Sequence, residues 1–222
     1  MQRHLDQELE KLKLNLLKMG TLTETAIHES VEALKSLNEE RARQVIENDQ
    51  IIDAIENGID EACLDLLALQ QPMAVDLRFI TVSMKIATDL ERIADLAVDI
   101  SQRVLVLAGK PLLKPLIDIP ALAELAKQMT KDALDAFVHK NADLAQCVIV
   151  RDSEPDALRN AVQEELINDY MSKDPSSAVR AVPLLLIARH LERICDHATN
   201  IAEDVIYMVK AEVVKHHPEK LC

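Results

Sequence analysis

The sequence predicts an all-α protein of two tandem three-helix bundles related by a pseudo-twofold internal repeat. Three observations carry that prediction. The composition is that of helices: 49% of residues are hydrophobic, yet only 2% are aromatic and only three of the 222 are glycine. Apolar residues recur at helical spacing, with Leu90, Ile93, Ala94, Ala97 and Val98 on one stripe and Glu91, Asp95 and Asp99 on another. The chain also repeats itself. "ATDLERIADLAVDI" at 87–100 and "ARHLERICDHATNI" at 188–201 are identical at 8 of 14 positions, at an offset of 101.

Turn signals divide the chain into six helices, expected at 4–36, 39–69, 73–108, 120–139, 142–171 and 176–213. "SLNEE" at 36–40 ends the first and starts the second, with Asn38 as N-cap and two acids in the first turn. "QQPM" at 70–73 stops the second helix before Pro72. "GKPLLKPLIDIP" at 109–120 holds a glycine and three prolines and reads as the central linker. "HKNAD" at 139–143 matches the first break, and "SKDPSS" at 172–177 matches the second. The expected organisation is therefore one bundle at 1–108, a linker at 109–119, a second bundle at 120–213 and a frayed tail at 214–222, which contains His216 and His217. Short connections make neighbouring helices antiparallel. Pro155 and Pro183 fall inside expected helices and should kink them or shift a boundary.

The net charge of −13 argues against nucleic acid, whose recognition rests on clustered Lys and Arg. The longest apolar run, "AVPLLLIA" at 181–188, is too short to span a bilayer, so no membrane insertion is expected. The charged opening "MQRHLDQELEKLK" is no signal peptide, and a cytoplasmic protein is expected. Four cysteines show no C-x-x-C spacing; Cys63, Cys147 and Cys195 lie among apolar neighbours and read as buried free thiols.

The residues kept between the repeats include sets of carboxylates. Asp49, Asp53, Asn57 and Glu61 recur as Asp152, Asp156, Asn160 and Glu164, at an offset of 103. Counted from the hairpin turns, Asp53 and Glu91 lie at matching heights, as do Asp49 and Asp95. The same holds for Asp156 with Glu192 and Asp152 with Asp196. Like charges four apart destabilise a helix by roughly 0.2–0.5 kcal/mol per pair. The repulsion is relieved by protonation, by neighbouring arginines such as Arg92 and Arg193, or by bound cations. Oxygen-only ligand sets suit Mg²⁺, Mn²⁺, Ca²⁺ or iron. Asp99 continues one ladder and Asn200 the other, which allows a multi-metal cluster in each half. A solvated acidic face is the alternative reading. His197 sits one position off the ladder, as a peripheral ligand or an ordinary capped histidine.

No Gly-rich phosphate loop, G-x-S-x-G or H-E-x-x-H is present, and no histidine follows a Glu-x-x. Without a nucleophile, a base or a cofactor cradle, a binding or regulatory module fits better than an enzyme. The alternatives are a metal-dependent helical enzyme with a di-metal carboxylate site, a phosphohydrolase or oxidase, and a metal-free helical adaptor.

The chain resembles the PhoU family of bacterial phosphate-uptake regulators. The resemblance rests on "QPMAVDLR" at 71–78, "DLERIADLAVDI" at 89–100, "HLERICDHATNIAEDVIY" at 190–207 and the opening "HLDQELEKLKLNLLKMG" at 4–20. It implies a non-enzymatic, cytoplasmic negative regulator of phosphate uptake and the phosphate-starvation response. Such a protein couples the ATPase of a phosphate ABC transporter to a sensor histidine kinase, and many members form homodimers. It also implies multinuclear metal clusters, of iron first, with zinc, manganese or magnesium as alternatives. By motif match Glu91, Asp95, Glu192 and Asp196 become metal ligands, joined by Asp49, Asp53, Asp152 and Asp156. Two departures stand out: the family's usual Gly after Glu-Arg-Ile is Ala94 and Cys195 here, and Asp-Leu-Arg is reduced to "AVRAVP" at 178–183, leaving Arg180 to answer to Arg78.

Overall fold

The structure is a computed structural model and describes residues 2–214. Helix α1 (Gln2–Ser36) stops where Leu37 turns left-handed, at φ 48°, which lets the Asn38 N–H reach back to the Ala33 carbonyl at 2.9 Å. Asn38 then caps α2 (Glu39–Gln70), its Oδ1 accepting the Arg41 N–H at 3.0 Å. The second repeat writes the same corner. Helix α4 (Asp118–His139) ends at Lys140, φ 50°, the Asn141 N–H bonds the Ala136 carbonyl at 2.9 Å, and Asn141 caps α5 (Ala142–Val150). Helix α3 (Ala74–Leu107) follows the break at Pro72, and α7 (Ala178–Lys210) follows a 3-10 turn at Pro175–Ser177.

The expected helix at 142–171 is not continuous. It divides into α5 and α6 (Ser153–Glu165), with Arg151 and Asp152 in a turn, and closes in a π-helical stretch at Leu166–Met171. Pro155 is the reason: it has no N–H for an interior helical bond, so the helix restarts two residues before it and places it in the first turn, where no donor is needed. Pro183, by contrast, lies inside α7. Several helix limits also shift by one to three residues. The linker gives up Asp118 and Ile119 to α4, α7 ends at Lys210, and Val214 is buried against the core rather than frayed. The rest of the expected tail, with His216 and His217, lies outside the described residues.

Helices α1, α2 and α3 form one bundle; α4, the α5–α6 pair and α7 form the other, and no strand occurs among the described residues. The most extensive interhelical contact joins the bundles, between α3 and α7, and α1 also meets α4 across the divide. The α3–α7 seam is antiparallel. Arg78 Nε, at the start of α3, donates to the Met208 carbonyl at 3.2 Å, and Arg180 Nη1, at the start of α7, donates to the Pro111 carbonyl at 3.3 Å. Arg180 thus does answer to Arg78, as a mirrored tie at the opposite end. Leu90, Ile93 and Ile100 of α3 join Leu191, Ile194 and Ile201 of α7 in a single hydrophobic core that runs through both repeats. At the α1–α4 crossing, a Cβ on Gly20 would stand 2.4 Å from Leu134 Cδ1, so glycine sets how closely these helices approach. Cys63 and Cys195 are buried thiols as expected, but Cys147 is exposed: on α5 it lies beside the stripe formed by Ala142, Ala145 and Val148, not on it.

Candidate functional site

In the first repeat, α2 carries Asp49 and Asp53, and α3 carries Glu91 and Asp95. The four lie within one another's fields. Burial, then the charges of Asp53 and Asp95, push Asp49 up to about 6. Burial, then Asp95, raise Glu91, with Glu56 and Asp53 adding to the effect and Arg92 opposing it. Glu91 Oε2 is buried and accepts no hydrogen bond; its nearest cation is Arg92 Nε at 3.4 Å. Arg92 Nη1 reaches Asp95 Oδ2 at 3.3 Å, so one guanidinium serves both ladder carboxylates of α3.

The second repeat rebuilds the arrangement with a different neutraliser. Burial and Asp196 raise Glu192, which Asp156 approaches closely; burial, Asp152 and Asp156 raise Asp196. Arg159 Nη2, from α6, bridges Asp156 Oδ1 at 3.1 Å and Glu192 Oε1 at 3.3 Å. Asp152, at the helix break, accepts the Thr199 hydroxyl at 3.0 Å. The matching heights expected of these eight carboxylates therefore do bring the ladders of adjacent helices face to face.

The ladders do not continue as a strict four-residue repeat. Each four-residue step overshoots a full helical turn by about 40°, and after two steps the stripe has left the face. Asn57, Glu61, Asn160 and Glu164 are accordingly exposed. Asp99 has rotated to the α3–α7 seam, 3.7 Å from His190 Nδ1, and Asn200 and Asp204 follow the same drift on α7, where Asp204 Oδ1 pairs with Lys85 at 2.8 Å. Asp99 and Asn200 therefore stand apart from the facing carboxylates. Holding the face takes alternating steps of four and three, which on α2 selects Asp49, Asp53, Glu56 and Asp60, all half-buried. Glu56 and its counterpart Arg159 are the site residues the four-residue spacing missed, and the change of step was the available signal. His197 is not on the ladder; its Nδ1 is 2.8 Å from Asp89 Oδ1 in the seam.

Chemically the donor set is oxygen-only, held under mutual repulsion, with one buried oxygen unpartnered, and it fits a hard cation. It is not a ready-made cage. Among the described residues, no three His, Cys, Asp or Glu side chains gather where a single ion would meet them all. No helix among the described residues is long and apolar enough to cross a membrane.

A family model described as the PhoU domain matches the chain twice, at residues 16–104 and 119–205. A phosphate-specific transport system accessory protein PhoU homolog from Aquifex aeolicus is 42% identical over 95% of each chain. A PhoU homolog 2 of the same description from Thermotoga maritima is 38% identical over 100% of this chain and 94% of its own. The crystal structure of PhoU from Pseudomonas aeruginosa superposes with a TM-score of 0.89 at 38% identity, covering 93% of this chain and 99% of that one. The phosphate transport system regulatory protein PhoU from Streptococcus pneumoniae gives 0.88 at 31% identity, covering 95% and 99%.

Proposed function

Given that this chain belongs to the PhoU family, we propose that it is a non-enzymatic accessory regulator of phosphate transport. It acts in the cytoplasm as a negative regulator of phosphate uptake and of the phosphate-starvation response. Its partners are the ATPase subunit of a phosphate ABC transporter and a sensor histidine kinase, and it works as a homodimer. The names of its relatives support the transport role.

The observation that carries the site's part in this function is the duplicated pair of facing carboxylate ladders. Asp49, Asp53, Glu91 and Asp95 hold metal in the first half, and Asp152, Asp156, Glu192 and Asp196 in the second, with iron ahead of zinc, manganese or magnesium. Bound metal supplies positive charge that replaces carboxylate repulsion with a cross-link between two helices. The protein's own residues do the rest. Arg92 and Arg159 hold the ladders partly neutral, and a bound cation would complete that neutralisation. The hairpins then present a fixed surface to the partners.

Elemental analysis of untagged protein, purified without chelator, tests this. Stoichiometric metal is expected, roughly halved by Asp49→Ala, Asp53→Ala, Glu91→Ala and Asp95→Ala together. Full metal content in that variant would sink the ladder assignment. A metal-free adaptor has one observation in its favour, since Arg92 and Arg159 already pair with carboxylates in each half. Protein that stays metal-free when iron, manganese, zinc or magnesium is added would establish that second reading.

A further inference from the structure

The second ladder borders a groove of about 490 Å³, lined on its polar side by Arg159, Gln163, Arg189, Glu192, Arg193 and Asp196. Three guanidiniums stand there against two carboxylates. At the repeat-equivalent positions the first half holds Glu56, Asp60, Thr88, Glu91, Arg92 and Asp95, which is one guanidinium against four carboxylates. The inversion of charge is confined to one half of a protein whose net charge is −13.

The exchange of Glu56 for Arg159 also changes what the neighbouring arginine does. Arg92 is engaged by Glu91 and Asp95. In the second half Glu192 is taken by Arg159, and Arg193, the counterpart of Arg92, makes no hydrogen bond or ion pair among the described residues. Arg189 has none either. These two lie one turn apart on the same face of α7, where like charges repel. Two guanidiniums without a direct bond, Arg193 in the field of Asp196, joined by a third across the groove, form a fork-shaped donor set that matches a tetrahedral oxyanion.

We infer that, in the metal-free protein, this groove binds the phosphate group of a small anion, through Arg189 and Arg193, with Glu192 accepting a hydrogen bond from the ligand. The carboxylates on the wall discriminate between oxyanions. Phosphate near neutral pH retains a P–OH that donates to Glu192, whereas sulfate has only acceptor oxygens and meets repulsion there. The groove is of ordinary small-ligand size, and Leu185 and Ala188 form an apolar floor beside the arginines. The phosphate group arrives either free or as a monoester, and the two sources separate experimentally.

The test is calorimetric titration of the full chain, stripped with EDTA and kept in chelator, with inorganic phosphate, sulfate and AMP at pH 7 and low ionic strength. Phosphate binding is expected, with at least tenfold weaker affinity for sulfate and for the R189Q/R193Q variant. R41Q/R43Q, which removes the same charge elsewhere, should bind as the parent does. AMP binding tighter than phosphate identifies a monoester as the occupant, and equal or weaker AMP binding identifies free phosphate. Because Arg189 and Arg193 are exposed, the variant should fold, and an unchanged melting temperature verifies it. Absence of phosphate binding by the parent, equal affinity for sulfate, or undiminished binding by R189Q/R193Q would overturn the proposal. The titration contains no metal, so failure of the metal assignment leaves it intact, and its own failure leaves the metal assignment intact.

Discussion

Asp49 is the residue at which stability and proposed function pull in opposite directions. Its folded-state carboxyl is raised to about 6 from an ordinary 3.8, so the folded protein holds this proton more tightly than the unfolded chain does. Its contribution is therefore neutral below about 3.8 and turns destabilising as pH rises to about 6, where it levels off. Asp49→Asn should leave metal-free protein unchanged near pH 3 and stabilise it at pH 7.5 by about 1 kcal/mol, after allowance for screening at a half-exposed site. Thermal melts in chelator at the two pH values check this, and an equal effect at both would refute the electrostatic origin. The carboxylates at matching heights could be read from the sequence because spacing and hairpin length fix them. Glu56 and Arg159 could not be found by matching repeats, since one is acidic and the other basic. Only the alternation of four- and three-residue steps marks their place on the face.

At the scale of the element, most helix limits follow from local chemistry that the sequence displays. Asn38 and Asn141 are caps by residue type, and Pro72 is a stop. The break between α5 and α6 depends on which turn Pro155 occupies, a choice made by packing of the whole second bundle. Left-handed corners were hidden for a different reason: Leu37, Gln71, Lys140 and Ala211 adopt positive φ without being glycine. Such a conformation costs an ordinary residue about 1–2 kcal/mol. Gln71, at φ 47° and exposed, gives the cleanest test. Gln71→Gly should stabilise the protein by roughly 0.5–1 kcal/mol, net of the freedom glycine adds to the unfolded chain. A melting temperature unchanged or lowered would contradict the strain.

The whole molecule is held by contacts that no single repeat contains. The internal repeat announces two bundles, but the sequence has no periodicity that specifies how they dock. The antiparallel α3–α7 seam, with its ties from Arg78 to Met208 and from Arg180 to Pro111, comes from the structure alone. The α1–α4 crossing is similar, since Gly20 looks like any helix-weakening glycine until Leu134 is placed against it. Leu134 must shift to admit a Cβ at Gly20, so Gly20→Ala should destabilise by up to about 2 kcal/mol once overpacking is set against the ~0.8 kcal/mol gained in helix propensity. Gly58→Ala, with nothing within 4 Å of the new Cβ, should stabilise by about 0.8 kcal/mol through helix propensity. Urea unfolding of both variants measures the difference, and the same sign for the two would remove Gly20 from the account of docking.

The seam also sets an order of events during synthesis. The Arg78–Met208 bond spans 130 residues, and the Asp89–His197 pair spans 108. At about 5–20 residues per second, the ribosome needs on the order of ten seconds to produce α7 after α3 has emerged. For that interval the face of α3 that α7 will cover has no partner within its own chain. During that interval the apolar side of α3 that faces α7 in the finished protein stays open. Completion of the fold waits on the last helix.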